Sequence, residues 1–215
     1  ATGEPRGPHT RPLAEATARM LLERMEGDRR VVAVSAATPY IMGFGPERRE
    51  AAGSQFVDVG IAEGHAVTFC TGLARAGAHP VLGIYGTFLQ RAYDELWHDV
   101  CLNDADLTIL VFGSSAYGTT DATHLGFYDI AMLGRMPRLS YLAPACASEY
   151  RSMLSWALDG GHGPVAIRVP VADTGDDAAR LVAPEPGTDW SVPRWQTVAR
   201  GSGVAVVSLG DALGI

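Results

Sequence analysis

The chain has 215 residues, 47% of them hydrophobic and 19% charged, enough for one domain with a sizeable core and the start of another. Its net charge of −7 and the lack of any basic run argue against a nucleic-acid surface. No apolar run reaches the roughly 18 residues of a membrane span, the first residues show no signal-peptide core, and Cys70, Cys101 and Cys146 are scattered without a Cys-x-x-Cys spacing, so the expectation is a cytoplasmic protein with reduced core thiols.

Residues 1–12 hold Gly3, Pro5, Gly7, Pro8 and Pro12 and predict a flexible lead-in. Ala14, Ala18, Leu21, Leu22 and Met25 share a helical spacing, so residues 13–25 predict a helix. Val31 to Val34 predicts a buried strand. Residues 38–52 are rich in Gly, Pro and charge and predict a loop; Gly43-Phe44-Gly45 is a fragment, not a phosphate fingerprint. Residues 56–59 predict a strand, 62–76 a helix and 80–85 a strand. A helix over 87–101 should turn Leu89, Ala92, Tyr93, Leu96 and Val100 inward. Residues 107–112 predict an apolar strand and 113–123 a polar Gly/Ser/Thr loop. Strands over 139–142 and 165–169 flank a helix over 147–158. Residues 171–203, with Pro184, Pro186, Pro193 and four acidic residues between Asp173 and Glu185, read as a linker. Residues 204–215 read as the first strand of a truncated C-terminal domain.

Strands alternating with helices at this spacing predict an α/β domain over residues 13–170, with a mostly parallel sheet and helices on both faces. Ligands of such sheets bind outside the carboxyl ends of the strands. Glu63, Tyr85 and the 113–124 loop each follow a predicted strand end, so they can share one crevice.

Gly60 permits a turn between strand and helix, and Glu63 falls in the first turn of the helix. A carboxylate there is favoured by the unpaired N–H groups and the helix dipole, so helix initiation is its ordinary reading. The wider pattern adds another. Phe56-Val57-Asp58-Val59-Gly60-Ile61-Ala62-Glu63-Gly64-His65, followed by Tyr85-Gly86-Thr87-Phe88-Leu89-Gln90-Arg91-Ala92-Tyr93-Asp94, resembles the pyrimidine-binding domain of the transketolase family, in particular its 1-deoxy-D-xylulose-5-phosphate synthase branch. The resemblance runs from about Asp28 to Pro170 and implies the thiamine-diphosphate-binding fold.

The resemblance implies site residues as well. Thiamine diphosphate must lose the proton on its C2 carbon, and Glu63 matches the glutamate that hydrogen-bonds N1′ of the aminopyrimidine, so that the ring's exocyclic nitrogen takes that proton. Phe88 matches the aromatic stacked on that ring, with Ile61 and Tyr85 as further cofactor contacts. Thr123-His124 matches the pair of the substrate loop, where His124 bonds substrate hydroxyls and passes protons. Arg91, His65, Asp121 and Arg168 fall on the substrate side, although His65, two residues past Glu63, points away from it on a regular helix. Taken singly, Phe88 reads as a core aromatic, Arg91 as a solvated arginine and His124 as an exposed loop residue. Asp94 and His98 have i,i+4 spacing but no third ligand or His-Glu-x-x-His pattern, so they predict a helix face without metal. Gly-x-Ser-x-Gly is absent, as is a Gly-rich phosphate loop, which leaves serine-hydrolase and nucleotide-binding readings without support.

Departures from the family are equally informative. The family's other half holds the diphosphate through Mg²⁺ with a Gly-Asp-Gly motif and a downstream Asn; Gly27-Asp28-Arg29 and Gly210-Asp211-Ala212 are not that motif. Mg²⁺ is therefore expected on a partner chain, a diphosphate-binding subunit in a heterodimer or heterotetramer. In the substrate loop Thr120 stands where the family has an aspartate, with Asp121 beside it. Gly113-Ser114 replaces an Asp-Arg pair. Arg168 keeps the first arginine of an Arg-x-Pro-Arg element, and Val171 replaces the second. Each lost charge-assisted contact, worth about 1.5–3 kcal/mol, weakens phosphate binding by about an order of magnitude or more.

Three functions follow as expectations. The first is a subunit of a split thiamine-dependent, transketolase-like transferase that moves a two-carbon ketol unit from a ketose phosphate donor. The second is a dehydrogenase-β-like subunit that passes a two-carbon acyl unit to a thiol on a lipoyl or acyl-carrier domain. The third is a non-catalytic structural partner of a thiamine enzyme, against which the joint retention of Glu63, Phe88 and His124 speaks.

Overall fold

The computed structural model describes residues 12–114, 123–170 and 184–214. Six strands form one all-parallel sheet in the order β2-β1-β3-β4-β6-β5. Helix α1 (Pro12–Gly27) leads into β1 (Val31–Ser35), and a short helix α2 (Pro46–Ala52) precedes β2 (Phe56–Asp58). Helix α3 (Glu63–Arg75) then returns the chain to β3 (His79–Tyr85), on the other side of β1. A broken helical run follows: α4 (Gly86–Leu89), a 3-10 turn (Gln90–Ala92), α5 (Tyr93–Glu95) and a π-turn (Leu96–Cys101). The chain continues through β4 (Thr108–Phe112), α6 (Tyr128–Leu133), β5 (Ser140–Leu142), α7 (Ala147–Asp159) and β6 (Val165–Val169), and β6 inserts between β4 and β5.

Strands β4 and β6 are buried along their whole length, as a sheet covered on both faces requires. Their side chains alternate between two cores. Leu110, Phe112 and Ile167 pack with Leu21 and Met25 of α1 and Tyr150 and Leu154 of α7. Ile109 and Val111 pack on the opposite face with Val67 and Cys70 of α3, Leu89, Leu96 and Leu133. The first core holds one polar bridge: Thr17 Oγ1 donates to the Leu13 carbonyl at 2.7 Å and meets the fully buried Tyr150 hydroxyl at 2.5 Å. All three cysteines are buried and free; burial pushes the Cys70 thiol up to about 12, and burial followed by the Asp104 charge pushes Cys101 to about 11. Among the described residues no helix is long and apolar enough to cross a membrane.

Several elements differ from the sequence expectation. Residues 38–52 are not a loop. Pro39–Met42 forms a 3-10 turn that ends at Gly43 in the left-handed region, and α2 follows, with prolines at the start of each turn. The Gly and Pro residues there punctuate short helices, and Ile41, Met42 and Phe44 bury between them. The helix expected over 87–101 is interrupted, because the 3-10 and π turns have fewer and more residues per turn than an α-helix. Inward periodicity is therefore lost at Tyr93, which is 46% exposed. Helix α6 lacked a clear sequence signal. Residues 204–209 pair with no strand among the described residues; the 3-10 turn Gly210–Gly214 follows them, with Leu213 against Ala145 and Cys146. Expectations for residues 1–11, 115–122 and 171–183 lie outside the described residues.

Gly43 shows how tightly this region closes on α1. Its φ is +77°, and an added Cβ would lie 2.3 Å from the Ala14 carbonyl oxygen. Both the left-handed backbone and the contact with main chain disfavour a side chain. Gly43→Ala is expected to destabilise the domain by about 2 kcal/mol or more, lowering Tm by several degrees in a thermal melt. A variant melting with the wild type would contradict this close approach.

Candidate active site

Three strand ends deliver the residues. Asp58 closes β2, and its Oδ1 accepts the Gly60 and Ala37 N–H groups, each at 2.9 Å. One carboxylate thus joins the turns that leave β1 and β2. The Asp-x-Gly step is a turn signal in the sequence, but its partner Ala37 is not legible there. Gly60 takes φ +75°, and Glu63 opens α3. The Glu63 side chain is only 6% exposed, and its Oε1 accepts from Arg91 Nη1 at 3.0 Å. No described residue bonds Oε2. Gly64 leaves room for a second, half-buried carboxylate, since a Cβ there would lie 2.6 Å from Glu95 Oε1.

Tyr85 closes β3, and Phe88 lies one turn on in α4. Their rings meet edge to face at 5.6 Å. His124, beyond β4, meets both at near-perpendicular angles, 5.8 Å from Tyr85 and 5.2 Å from Phe88. Edge-to-face contacts of this kind hold rings in defined orientations. Thr123 bonds His124 Nδ1 at 2.7 Å, and Thr87 Oγ1 donates to the Thr123 carbonyl at 3.2 Å, which fastens the end of the 113–124 loop to α4. Arg91 Cζ lies 5.7 Å from the Phe88 centroid, within cation–π range. Glu63, Tyr85, Phe88, Arg91 and His124 therefore form one connected set. A buried carboxylate with one oxygen unbonded, linked through one guanidinium to an aromatic ring, offers groups that could meet a flat heterocycle at its edge and its face.

The other predicted residues have different surroundings. Ile61 is 80% exposed at the turn before α3. His65 is exposed on α3, its ring 5.9 Å from Phe69. Asp121 lies outside the described residues. Arg168 is buried: its Nε donates to Asp129 Oδ2 at 2.8 Å and its Nη2 to the Gly126 carbonyl at 3.0 Å. Tyr141 donates to the same Asp129 oxygen at 2.7 Å, and burial, then the Asp129 charge, pushes its phenol upward so that it keeps its proton. Arg168 was expected as a substrate contact; here its guanidinium is tied to Asp129, 39 residues away, and to Gly126. Ser114 is also buried, its hydroxyl donating to the Val111 carbonyl at 2.7 Å. His98 and Asp94 form an exposed i,i+4 pair at 3.0 Å.

Comparison with known proteins shows the family and the fold. The model of the family described as transketolase, pyrimidine binding domain, matches residues 10–175. The 1-deoxy-D-xylulose-5-phosphate synthase of Heliobacterium modesticaldum is 40% identical over 190-odd positions (195 residues), covering 91% of this chain and 29% of that protein. The synthase of Clostridium perfringens is 37% identical over 190 residues, 88% of this chain and 30% of the relative. The chain thus spans about a third of the length of these relatives. Among solved structures, one described as "Split gene transketolase, inactive beta4 tetramer" superposes with a TM-score of 0.64 at 22% identity, covering 81% of this chain and 55% of that one. Transketolase from Leishmania mexicana gives 0.65 at 18% identity, covering 82% and 26%. At these identities the structural likeness is one of fold.

The Arg168–Asp129 pair generates a test. The Asp129 side chain is fully buried, so Arg168→Met leaves an unpaired charge in the core. The variant is expected to lose about 3–5 kcal/mol in urea unfolding, and Arg168→Met with Asp129→Leu should recover much of that loss. A single variant as stable as the wild type would show that the guanidinium is not needed in the core.

Proposed function

Because this chain belongs to the transketolase pyrimidine-binding domain family, we propose that it supplies the aminopyrimidine-holding half of a thiamine-diphosphate-dependent transferase that moves a two-carbon ketol unit from a ketose phosphate donor. The observation that carries this reading is Glu63: a buried carboxylate at the first residue of α3, with Oε2 unbonded, linked through Arg91 to the ring of Phe88. Thiamine diphosphate, when bound, supplies an electron sink for carbanion chemistry. Glu63 holds a hydrogen bond to the pyrimidine nitrogen, Phe88 offers its ring face, and Tyr85 and Ile61 complete that side. His124 bonds the substrate's hydroxyls and moves a proton to or from them, oriented by its bond to Thr123. Asp121 and His65 belong to the wider substrate side of the same reading.

The diphosphate and its Mg²⁺ are held from outside these residues, by a partner subunit in a heterodimer or heterotetramer. The likeness in fold to a chain described as a split-gene transketolase supports this. In this arrangement Glu63 faces a cofactor held mainly by the partner.

One observation favours a particular acceptor. Arg168 is committed to Asp129 and Gly126, and Ser114 to Val111, so neither offers a phosphate anchor. An acceptor on a lipoyl or phosphopantetheine arm needs fewer such anchors, because tethering raises its effective concentration to about the mM range.

Two measurements test the proposal. In the reconstituted complex Glu63→Gln should keep the fold and much of the cofactor affinity while losing C2-proton exchange by NMR; exchange near the wild-type rate rules out the role of Glu63. Given a ketose phosphate donor, the complex should favour a carrier-bound lipoyl disulfide, whose S–S bond opens so that one sulfur takes the two-carbon unit as an acyl group and the other takes the electron pair and a proton, or an unphosphorylated aldehyde acceptor, over free glyceraldehyde 3-phosphate, read by mass spectrometry. Efficient formation of an ordinary sugar phosphate without a carrier adduct would return the protein to plain transketolase-type transfer.

A further inference from the structure

One guanidinium touches both side chains on which the ring-binding reading rests. Arg91 Nη1 donates to Glu63 Oε1 at 3.0 Å, and its Cζ lies 5.7 Å from the centre of the Phe88 ring. The two partners of this contact differ greatly in burial, the Arg91 side chain being 61% exposed and that of Glu63 6%. The carboxylate is fixed by the first turn of α3, whereas the guanidinium reaches in from solvent. Arg91 sits in the 3-10 turn three residues after Phe88, an offset that places the two side chains on one side of the turn.

A guanidinium is planar, donates N–H groups in its plane and presents a face to aromatic rings. An aminopyrimidine that takes up a proton shares these features: its ring N–H meets a carboxylate at its edge, and its face meets an aromatic ring. We propose that Arg91 is a built-in occupant of the pyrimidine subsite: in the cofactor-free chain it caps Glu63 and covers Phe88, and on loading it turns outward to face the anionic group of the substrate. This rests on the reading of Glu63 and Phe88 above, and adds an order to it. The anion-binding guanidinium is released only when the ring subsite is filled, so the cofactor enters before the substrate. Because the Arg91 half of the pair lies in solvent, salt screens it, and a ring nitrogen that shares a proton with Glu63 displaces it.

The opposite role is a permanent clamp, in which Arg91 supports Glu63 and stays when the ring arrives. The two roles give opposite signs in one measurement. The full chain is titrated with 4-amino-5-hydroxymethyl-2-methylpyrimidine, the pyrimidine half of the cofactor without its charge, and followed by NMR. Arg91→Met is expected to bind this probe about two- to fivefold more tightly than the wild type, with Arg91→Lys between them. Added salt should tighten binding to the wild type and leave Arg91→Met unchanged. In the wild type, slow rotation of the Arg91 guanidinium should give way to fast rotation when the probe binds, and also in Glu63→Gln without probe. Equal or weaker binding by Arg91→Met, or a guanidinium that stays slow in the presence of probe, overturns the proposal. Failure of the Glu63 reading shows separately, as undiminished C2-proton exchange in Glu63→Gln.

Discussion

A carboxylate kept almost entirely out of water sets the terms for this molecule. Burying an unpaired charge is strongly unfavourable, so Glu63 must be placed where the protein offers positive partners. Two are present: the first turn of α3, with its unpaired N–H groups, and the guanidinium of Arg91. That placement depends in turn on Asp58, which joins the turns after β1 and β2 through two main-chain N–H groups. The path from β2 to α3 is thereby defined before any ligand arrives.

The sheet supplies the rest of the geometry. Because all of its pairings are parallel and both faces are covered by helices, its strands are committed to packing along their length. Polar groups that solvent can reach gather beyond the strand ends. The carboxyl ends of β2, β3 and β4 supply Glu63, Tyr85 with Phe88, and His124, and three edge-to-face ring contacts bind the last two groups together. The break between α4, the 3-10 turn and α5 also matters, since it carries Arg91 back toward Glu63.

The two arginines of this region have contrasting roles for a physical reason. Arg168 lies within β6 and cannot reach solvent, so Asp129, Gly126 and Tyr141 complete a buried polar group around it. Arg91 lies outside the sheet and keeps one side in water. The first is enclosed by the fold; the second faces solvent.

Local patterns determined much of this protein without reference to its three-dimensional structure. Apolar runs such as Val31 to Val34 and Ile109 to Phe112 mark strands of a doubly covered sheet, because only such a sheet buries both sides of a strand. The Gly60-to-Glu63 step marks a turn into a helix, and Glu63, Phe88 and His124 carry the family pattern in short contiguous motifs. Tertiary structure decided what depends on partners distant in the chain. Residues 38–52 fold as short helices because Ile41, Met42 and Phe44 find a core made by α1 and the sheet, which their Gly- and Pro-rich neighbours do not announce. Tyr93 faces outward because changes in helical pitch shift the periodicity. Arg168 is internal because Asp129 lies across from it, and Arg91 meets Glu63 across 28 residues of intervening chain. Charge pairing at such separations is set by how strands and helices pack, and it leaves no periodic trace in the order of amino acids.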